Sequence, residues 1–172
     1  MPPDANQRYA RQSNRLSSFD YSSAGGYFIT VCTSGRKHSL GTIIDGRPCL
    51  SPAGTVVENT WLDIEKRFPA VTTGAYVVMP DHFHGIVIID STTVFPSYSQ
   101  QDATTSLSQV MRAFKSISAI SANKVMETSG QFWQRNYYEH VIRNEAELSA
   151  YREYIADNPR AWAEHERPAA QQ

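Results

Sequence analysis

The chain has 172 residues and a formal net charge of -1, and its length fits one domain with a proper hydrophobic core. Its two cysteines, Cys32 and Cys49, are too few for a disulfide framework or a cysteine-based zinc site, and no segment resembles a signal peptide or a membrane span. We therefore expect a soluble, cytoplasmic protein with no membrane partner and no organic cofactor.

Residues 1–18 are polar and predict a flexible basic arm outside the core. The arm carries Arg8, Arg11 and Arg15 against one acid, Asp4. Spaced arginines suit a phosphate backbone, so these three are candidate DNA contacts, although most polar tails only aid solubility and the overall charge gives no general attraction to nucleic acid. The predicted organisation is the arm over 1–18, one domain over 19–162 and a polar tail over 163–172.

Hydrophobic periodicity and turn residues divide the rest of the chain into an α+β pattern. Asp45–Gly46 predicts a tight hairpin turn, Ser51 a helix N-cap, and Pro69 and Pro159 the ends of two helices. The predicted elements are a strand over 26–33, hairpin strands over 40–44 and 47–50, a helix over 52–68, strands over 71–79 and 83–90, a loop over 91–103, a helix over 104–126, a strand over 131–142 and a helix over 144–158. This order predicts a ferredoxin-like antiparallel sheet with helices on one face, plus an extra N-terminal hairpin and a C-terminal helix.

Two histidines interrupt an apolar run at the start of the second strand of the central pair. Because side chains alternate across a strand, His82 and His84 point to one face and Phe83 to the other. Two imidazoles on a buried strand suit a divalent metal ion or catalysis. The alternative is that one or both rings are hydrogen-bonded core residues, which is the usual role of a lone histidine.

The helix over 104–126 carries Arg112 and Lys115 on its polar side, in a stretch whose basic residues have no acid beside them up to residue 124. Both are candidate phosphate contacts. A solvated helix face explains them equally well on charge alone.

The final helix places Tyr154 and Asn158 one turn apart on the same stripe. A phenol close to a metal-bound phosphate can attack phosphorus, and an amide oxygen can complete the coordination of the metal. Half-buried packing is nevertheless the more common role of a tyrosine on an amphipathic helix.

Three blocks of sequence resemble one known family, the REP-associated tyrosine transposases, single-domain relatives of the HUH insertion-sequence transposases. The blocks are Met-Pro-Asp-His-Phe-His-Gly at 79–85, Phe-Trp-Gln-Arg-Asn-Tyr-Tyr-Glu-His-Val-Ile-Arg-Asn-Glu at 132–145 and Tyr-Ile-Ala-Asp-Asn-Pro at 154–159. A histidine pair alone is unspecific, but the three blocks in this order are highly specific. The resemblance covers approximately residues 8–162.

The resemblance implies a ferredoxin-like fold and cleavage of single-stranded DNA beside stem-loops, with Mg²⁺ or Mn²⁺ and a tyrosine that becomes linked to the 5′-phosphate. By motif position, it implies that His82 and His84 are metal ligands and that Tyr154 is the nucleophile. Asn158 stands where mobile relatives often carry glutamine as the third ligand, so an amide oxygen is kept at that position.

The sequence is compatible with three functions. The first is a metal-dependent endonuclease and strand transferase, and the second a hairpin-DNA-binding protein of the same fold without transposition activity. The third is a zinc-dependent hydrolase that uses the histidine pair with a carboxylate. Tyr137 or Tyr138 could stack on unpaired bases. His140 and Glu139 are weak candidates for a general base, and the resemblance favours a monomer over a dimer.

Overall fold

The computed structural model describes residues 25–90 and 105–166, so the predicted arm and the predicted loop over 91–103 lie outside the described residues. The elements are β1 (Gly25–Cys32), β2 (Gly41–Ile44), β3 (Arg47–Leu50), α1 (Pro52–Leu62), α2 (Ile64–Arg67), β4 (Val71–Val78), β5 (His82–Ile89), α3 (Leu107–Val125), β6 (Tyr138–Ile142) and α4 (Glu145–Glu166). None of the described helices combines the length and the apolar composition needed to cross a lipid bilayer.

Four strands form one antiparallel sheet in the order β4-β5-β1-β6. This is the strand order of a ferredoxin-like sheet, so the predicted fold class is confirmed. β2 and β3 form a separate hairpin, as predicted. Its turn residues Asp45 and Gly46 have φ angles of 50° and 70°, the positive values that a tight two-residue hairpin turn requires.

The helices α1, α2 and α3 cover one face of the sheet, and the long helix predicted before β4 is divided at Asp63 into α1 and α2. Trp61 of α1 and Phe114 of α3 pack on Phe83 of β5, with ring centroids 4.8 Å and 5.1 Å away. All three rings are fully buried, which makes them major contributors to the core. A Cβ at Gly85 would lie 2.7 Å from Cζ2 of Trp61, so only glycine permits this close approach.

The helix α4 covers the opposite face of the same sheet. Ile155 of α4 is buried in one cluster with Phe28 of β1 and Ile86 of β5. Tyr151 stacks on Phe28 with ring centroids 4.3 Å apart. The C-terminal helix therefore lies on the sheet of its own chain, on the face that carries the two histidines.

The predicted end of the last helix at Asn158 is wrong, because α4 continues through Pro159 to Glu166. Pro159 is buried, and Trp162 in the next turn lies against His82 with ring centroids 5.7 Å apart. These tertiary contacts outweigh the backbone hydrogen bond that a proline inside a helix removes.

The strand predicted over 131–142 is shorter than expected, since β6 pairs with β1 only from Tyr138 onwards. Before it, Trp133 is buried in the core and makes one isolated bridge to the sheet. The carbonyl oxygens of 134–136 instead accept hydrogen bonds from Lys115 of α3. An aromatic, β-prone composition was therefore a poor guide to backbone pairing here.

Candidate active site

The two histidines of β5 lie side by side on the face of the sheet that α4 covers. Their ring centroids are 4.6 Å apart, and both side chains are buried. Phe83 between them points to the opposite core, as strand alternation predicts. β5 holds the pair in register with β1, where His84 is opposite Thr30 and His82 is opposite Cys32.

Each histidine uses its Nδ1 atom to bind a neighbouring side chain. Nδ1 of His82 lies 2.6 Å from Oδ1 of the buried Asp81, and Nδ1 of His84 lies 2.8 Å from Oγ1 of Thr30. Within the described part of the chain, Nε2 of His84 is buried and has no hydrogen-bond partner. A histidine with Nδ1 fixed in this way has Nε2 available as a metal ligand, which is the usual arrangement in metal sites.

Both imidazoles are held in the neutral form that binds metals. Burial, together with the neighbouring His82 and Arg36, lowers the pKa of His84 to about 3. Burial also lowers the pKa of His82, against the opposing effect of Asp81. Because a ring must be unprotonated to coordinate a metal, the pair is ready for coordination at neutral pH without first losing a proton.

The helix α4 brings Tyr154 and Asn158 to the histidine pair. The Tyr154 ring lies edge-on to the His84 ring, with centroids 5.3 Å apart, and its side chain is half exposed. Asn158, one turn later, lies beside His82 and opposes the lowering of its pKa by burial. All four residues line one open cavity of about 620 Å³, which falls in the size range of about 300–1,000 Å³ typical of ligand sites.

The donor set of the cavity fits a divalent metal ion. It offers two imidazole nitrogens from His82 and His84 and one amide oxygen from Asn158, a mixed set that leaves coordination positions for substrate oxygens. Among the residues that the structure describes, no three His, Cys, Asp or Glu side chains come together as a metal-binding group. The third ligand available here is therefore an amide, whereas the zinc-hydrolase hypothesis requires a carboxylate.

Several residues of the cavity were missed by the sequence analysis. Trp162 and His165 line it because α4 continues past Pro159. Had the helix been extended, their spacing after Asn158 would have placed them on the Tyr154 stripe. Arg36 also lines the cavity, and no periodic pattern in the sequence signals it.

Two of the candidate DNA contacts, Arg112 and Lys115, lie away from the histidine pair. Arg112 lines a separate groove between α2 and α3, on the other side of the sheet. Nζ of Lys115 lies 2.7 Å, 2.8 Å and 3.3 Å from the carbonyl oxygens of 134–136. Its three N–H donors are thus engaged inside the protein, which leaves Lys115 no donor for a phosphate. Arg8, Arg11 and Arg15 lie outside the described residues.

The remaining aromatic and acid–base candidates occupy different positions along β6. Tyr138 is half exposed and lines the cavity, whereas Tyr137 is packed against the helical core, under Nζ of Lys115. His140 lies 3.4 Å from a carboxylate oxygen of Glu147 and contacts the Tyr151 ring. Tyr138 is therefore the better placed of the two tyrosines to meet a ligand in the cavity.

Comparison with known proteins finds similarity along most of the chain. An uncharacterised protein of Haemophilus influenzae is 35% identical over 165 residues, covering 88% of this chain and 89% of that protein. A second protein of the same organism, provisionally named a REP-associated tyrosine transposase, is 24% identical over 144 residues, covering 81% and 73%. The structure of a REP-associated tyrosine transposase bound to a REP hairpin is similar with a TM-score of 0.59 and 19% identity, covering 90% of this chain and 75% of that one. No protein-family model matches the chain.

Proposed function

We propose that the chain is a member of the REP-associated tyrosine transposase family and acts as a single-stranded DNA endonuclease and strand transferase beside a DNA stem-loop. One observation carries the proposal: Tyr154, His82, His84 and Asn158 line a single cavity although they come from different parts of the chain. A nucleophile beside a set of metal ligands is the arrangement that phosphoryl transfer to a side chain requires.

Stem-loop DNA is the substrate that the comparisons support best, since the structural neighbour is bound to a REP hairpin. The cavity is open to solvent between α4 and the sheet, so an unpaired strand can enter it. Tyr138 at its edge is half exposed and offers an aromatic face on which an unpaired base can stack.

Tyr154 is the nucleophile in this proposal. Its phenol oxygen attacks the phosphorus atom of the scissile phosphodiester, so a bond between Oη and phosphorus forms as the bond from phosphorus to the 3′-oxygen breaks. The phenol loses its proton and the departing 3′-oxygen gains one. The 5′-phosphate remains joined to the protein, and because the new ester conserves the bond energy, a second 3′-hydroxyl can reverse the step without ATP.

The residues His82, His84 and Asn158 would hold the divalent ion, Mg²⁺ or Mn²⁺. When bound, the ion would polarise a phosphate oxygen and offset the charge that develops there. The chain itself supplies neutral imidazoles and fixes their orientation through hydrogen bonds between each Nδ1 atom and the side chain of Asp81 or Thr30.

One chain supplies all the groups proposed for the cleavage step. The helix α4 packs on its own sheet, so the Tyr154 phenol and the His84 imidazole meet within a single molecule. This arrangement supports a monomer as sufficient for cleavage.

The test is incubation of fluorescent stem-loop oligonucleotides, drawn from a pool with randomised single-stranded flanks, with the protein and Mn²⁺. We expect a shortened product and a covalent protein–DNA adduct, both absent with EDTA and in a His82→Ala/His84→Ala variant. Tyr154→Phe should bind the same oligonucleotides and form no adduct. Binding by the wild type without any product would instead support a binding protein of the same fold, and tightly held stoichiometric zinc would support the hydrolase.

A further inference from the structure

The turn after β1 holds Arg36 at the edge of the cavity in an unusual backbone conformation. Its φ angle of 55° lies in the left-handed region, which residues with a side chain rarely adopt. The buried Thr33 fixes the turn, since its N–H donates to the carbonyl oxygen of Asp81 at 2.9 Å and its hydroxyl to that of Lys37 at 2.8 Å. A conformation of this kind persists only where the surroundings enforce it, and such positions cluster at functional sites.

Among the described residues, only part of the Arg36 guanidinium group has a hydrogen-bond partner. Nε donates to Oδ2 of Asp81 at 2.8 Å, and one terminal nitrogen donates to Sγ of Cys32 at 2.8 Å. A guanidinium has five N–H donors, so three remain after these two bonds. The Arg36 side chain is 50% exposed, whereas that of Asp81 is 4% exposed. Arg36 therefore spans from a buried acid to the solvent-filled cavity.

The charge of the cavity favours an anion at this position. Among the described residues that line it, Arg36 is the one side chain with a permanent positive charge, and no carboxylate lines it. The carboxylate of Asp81 lies behind Arg36 and holds the guanidinium in place without facing the cavity.

We propose that Arg36 binds a non-bridging oxygen of a phosphodiester in the DNA strand that occupies the cavity. The proposal rests on the proposed function for the presence of DNA, but it concerns binding and needs no cleavage. A guanidinium fork matches the geometry of a phosphate, and a charge-assisted hydrogen bond in a partly enclosed site is stronger than a neutral one. The competing role is that Arg36 serves only as the counter-ion of the buried Asp81 and touches no ligand.

A chemical double-mutant cycle separates these two roles. A tightly binding stem-loop oligonucleotide from the pool is synthesised with a neutral methylphosphonate at each linkage of its single-stranded flank in turn. Affinities are measured by fluorescence anisotropy in a Tyr154→Phe background. At one linkage we expect the methylphosphonate to weaken binding about tenfold when Arg36 is present, and Arg36→Gln to abolish that loss.

Arg160→Gln is the matched control. Like Arg36, Arg160 donates from Nε to a carboxylate, Oδ1 of Asp157 at 2.7 Å, but this ion pair is exposed and Arg160 does not line the cavity. This variant should keep the full methylphosphonate loss at the same linkage. If Arg36→Gln does not fold, Arg36→Lys replaces it, and because an ammonium lacks the fork, the loss should shrink to about threefold.

The proposal is overturned if Arg36→Gln, or Arg36→Lys in its place, retains the wild-type methylphosphonate loss at every linkage. Its failure is distinguishable from that of the proposed function. If the wild type forms an adduct but substitution of Arg36 does not change the methylphosphonate loss, only the phosphate contact is refuted. If substitution of Arg36 abolishes the loss but the wild type forms no adduct, the phosphate contact stands and the nuclease activity is refuted.

Discussion

The phenol ring of Tyr154 lies edge-on to the imidazole ring of His84, with the two centroids 5.3 Å apart and the planes inclined by 68°. Tyr154 comes from the last helix and His84 from the centre of the sheet, and both also contact Phe28. Because α4 is anchored on Phe28 through Tyr151, the position of the phenol depends on the packing of a whole helix against the sheet.

Asn158 is predicted to contribute directly to metal affinity. We expect Asn158→Ala to weaken Mn²⁺ binding about tenfold or more, because it removes the one oxygen donor of the proposed set. Asn158→Asp keeps an oxygen and adds a negative charge, so it should bind Mn²⁺ at least as tightly as the wild type. Isothermal titration of the protein without DNA measures both, and equal affinity in the wild type and Asn158→Ala would exclude Asn158 as a ligand.

Asp81 is predicted to orient His82. Its carboxylate accepts a hydrogen bond from Nδ1 of His82 and so directs Nε2 towards the metal. Asp81→Asn should lower Mn²⁺ affinity about 10–100-fold while the protein stays folded. The matched control is Asp157→Asn, which breaks an exposed ion pair with Arg160 and should leave affinity unchanged. A loss of similar size in both variants would mean that the effect is not specific to the site.

The buried His84 predicts a pH dependence of stability in the metal-free protein. Burial lowers the pKa of His84 to about 3, whereas an unfolded chain has a value of about 6.5. Between these values the unfolded chain binds the extra proton, so the free energy of unfolding falls as the pH falls from about 6.5 towards about 3.

The measurement is urea unfolding in EDTA at pH about 7.5 and about 4.5, for the wild type and for His84→Gln. The wild type should lose about 2–3 kcal/mol more than the variant over this interval, since the variant lacks the titrating ring. The same loss in both proteins would mean that His84 does not resist protonation in the folded state.

The part of α4 beyond Pro159 is predicted to stabilise the fold. Trp162 contacts His82 and His38, with ring centroids 5.7 Å and 5.5 Å away. Because this side chain is only partly buried, Trp162→Ala should lower the free energy of unfolding by about 1–3 kcal/mol, less than the loss of a fully buried tryptophan. Leu62→Ala, at a half-exposed site on the other side of the sheet, is the control and should change it by about 0.5 kcal/mol or less. Equal small effects would show that the last turns of α4 do not stabilise the fold.

Local periodicity in the sequence was enough to predict which residues of one element share a face. Strand alternation placed His82 and His84 on one face, and helical spacing placed Tyr154 and Asn158 on one stripe. The order of elements was enough to predict the topology of the sheet, because a ferredoxin-like topology follows from a few connection rules.

Contacts between side chains of different elements could not be predicted from local periodicity. No sequence pattern indicates that Arg36 reaches Asp81, since that contact depends on a left-handed turn and on a residue far away in the chain. Propensity also argued against a helix through Pro159, and only tertiary packing around Trp162 explains it. Lys115 looked like a free cation on a polar helix face, whereas backbone carbonyls enclose its ammonium.

The most direct test of the account is the identity of the tyrosine that becomes linked to DNA. Tyr138 also lines the cavity, and Tyr151 stacks on Phe28, which contacts Tyr154. Trypsin separates all three candidates. The relevant peptides are 136–143 with Tyr137 and Tyr138, 144–152 with Tyr151, and 153–160 with Tyr154. Mass spectrometry of the trapped adduct, after nuclease and trypsin digestion, should find a nucleotide linked through its 5′-phosphate to peptide 153–160. A modification on either of the other two peptides, or none on any, would contradict the assignment of Tyr154 as the nucleophile.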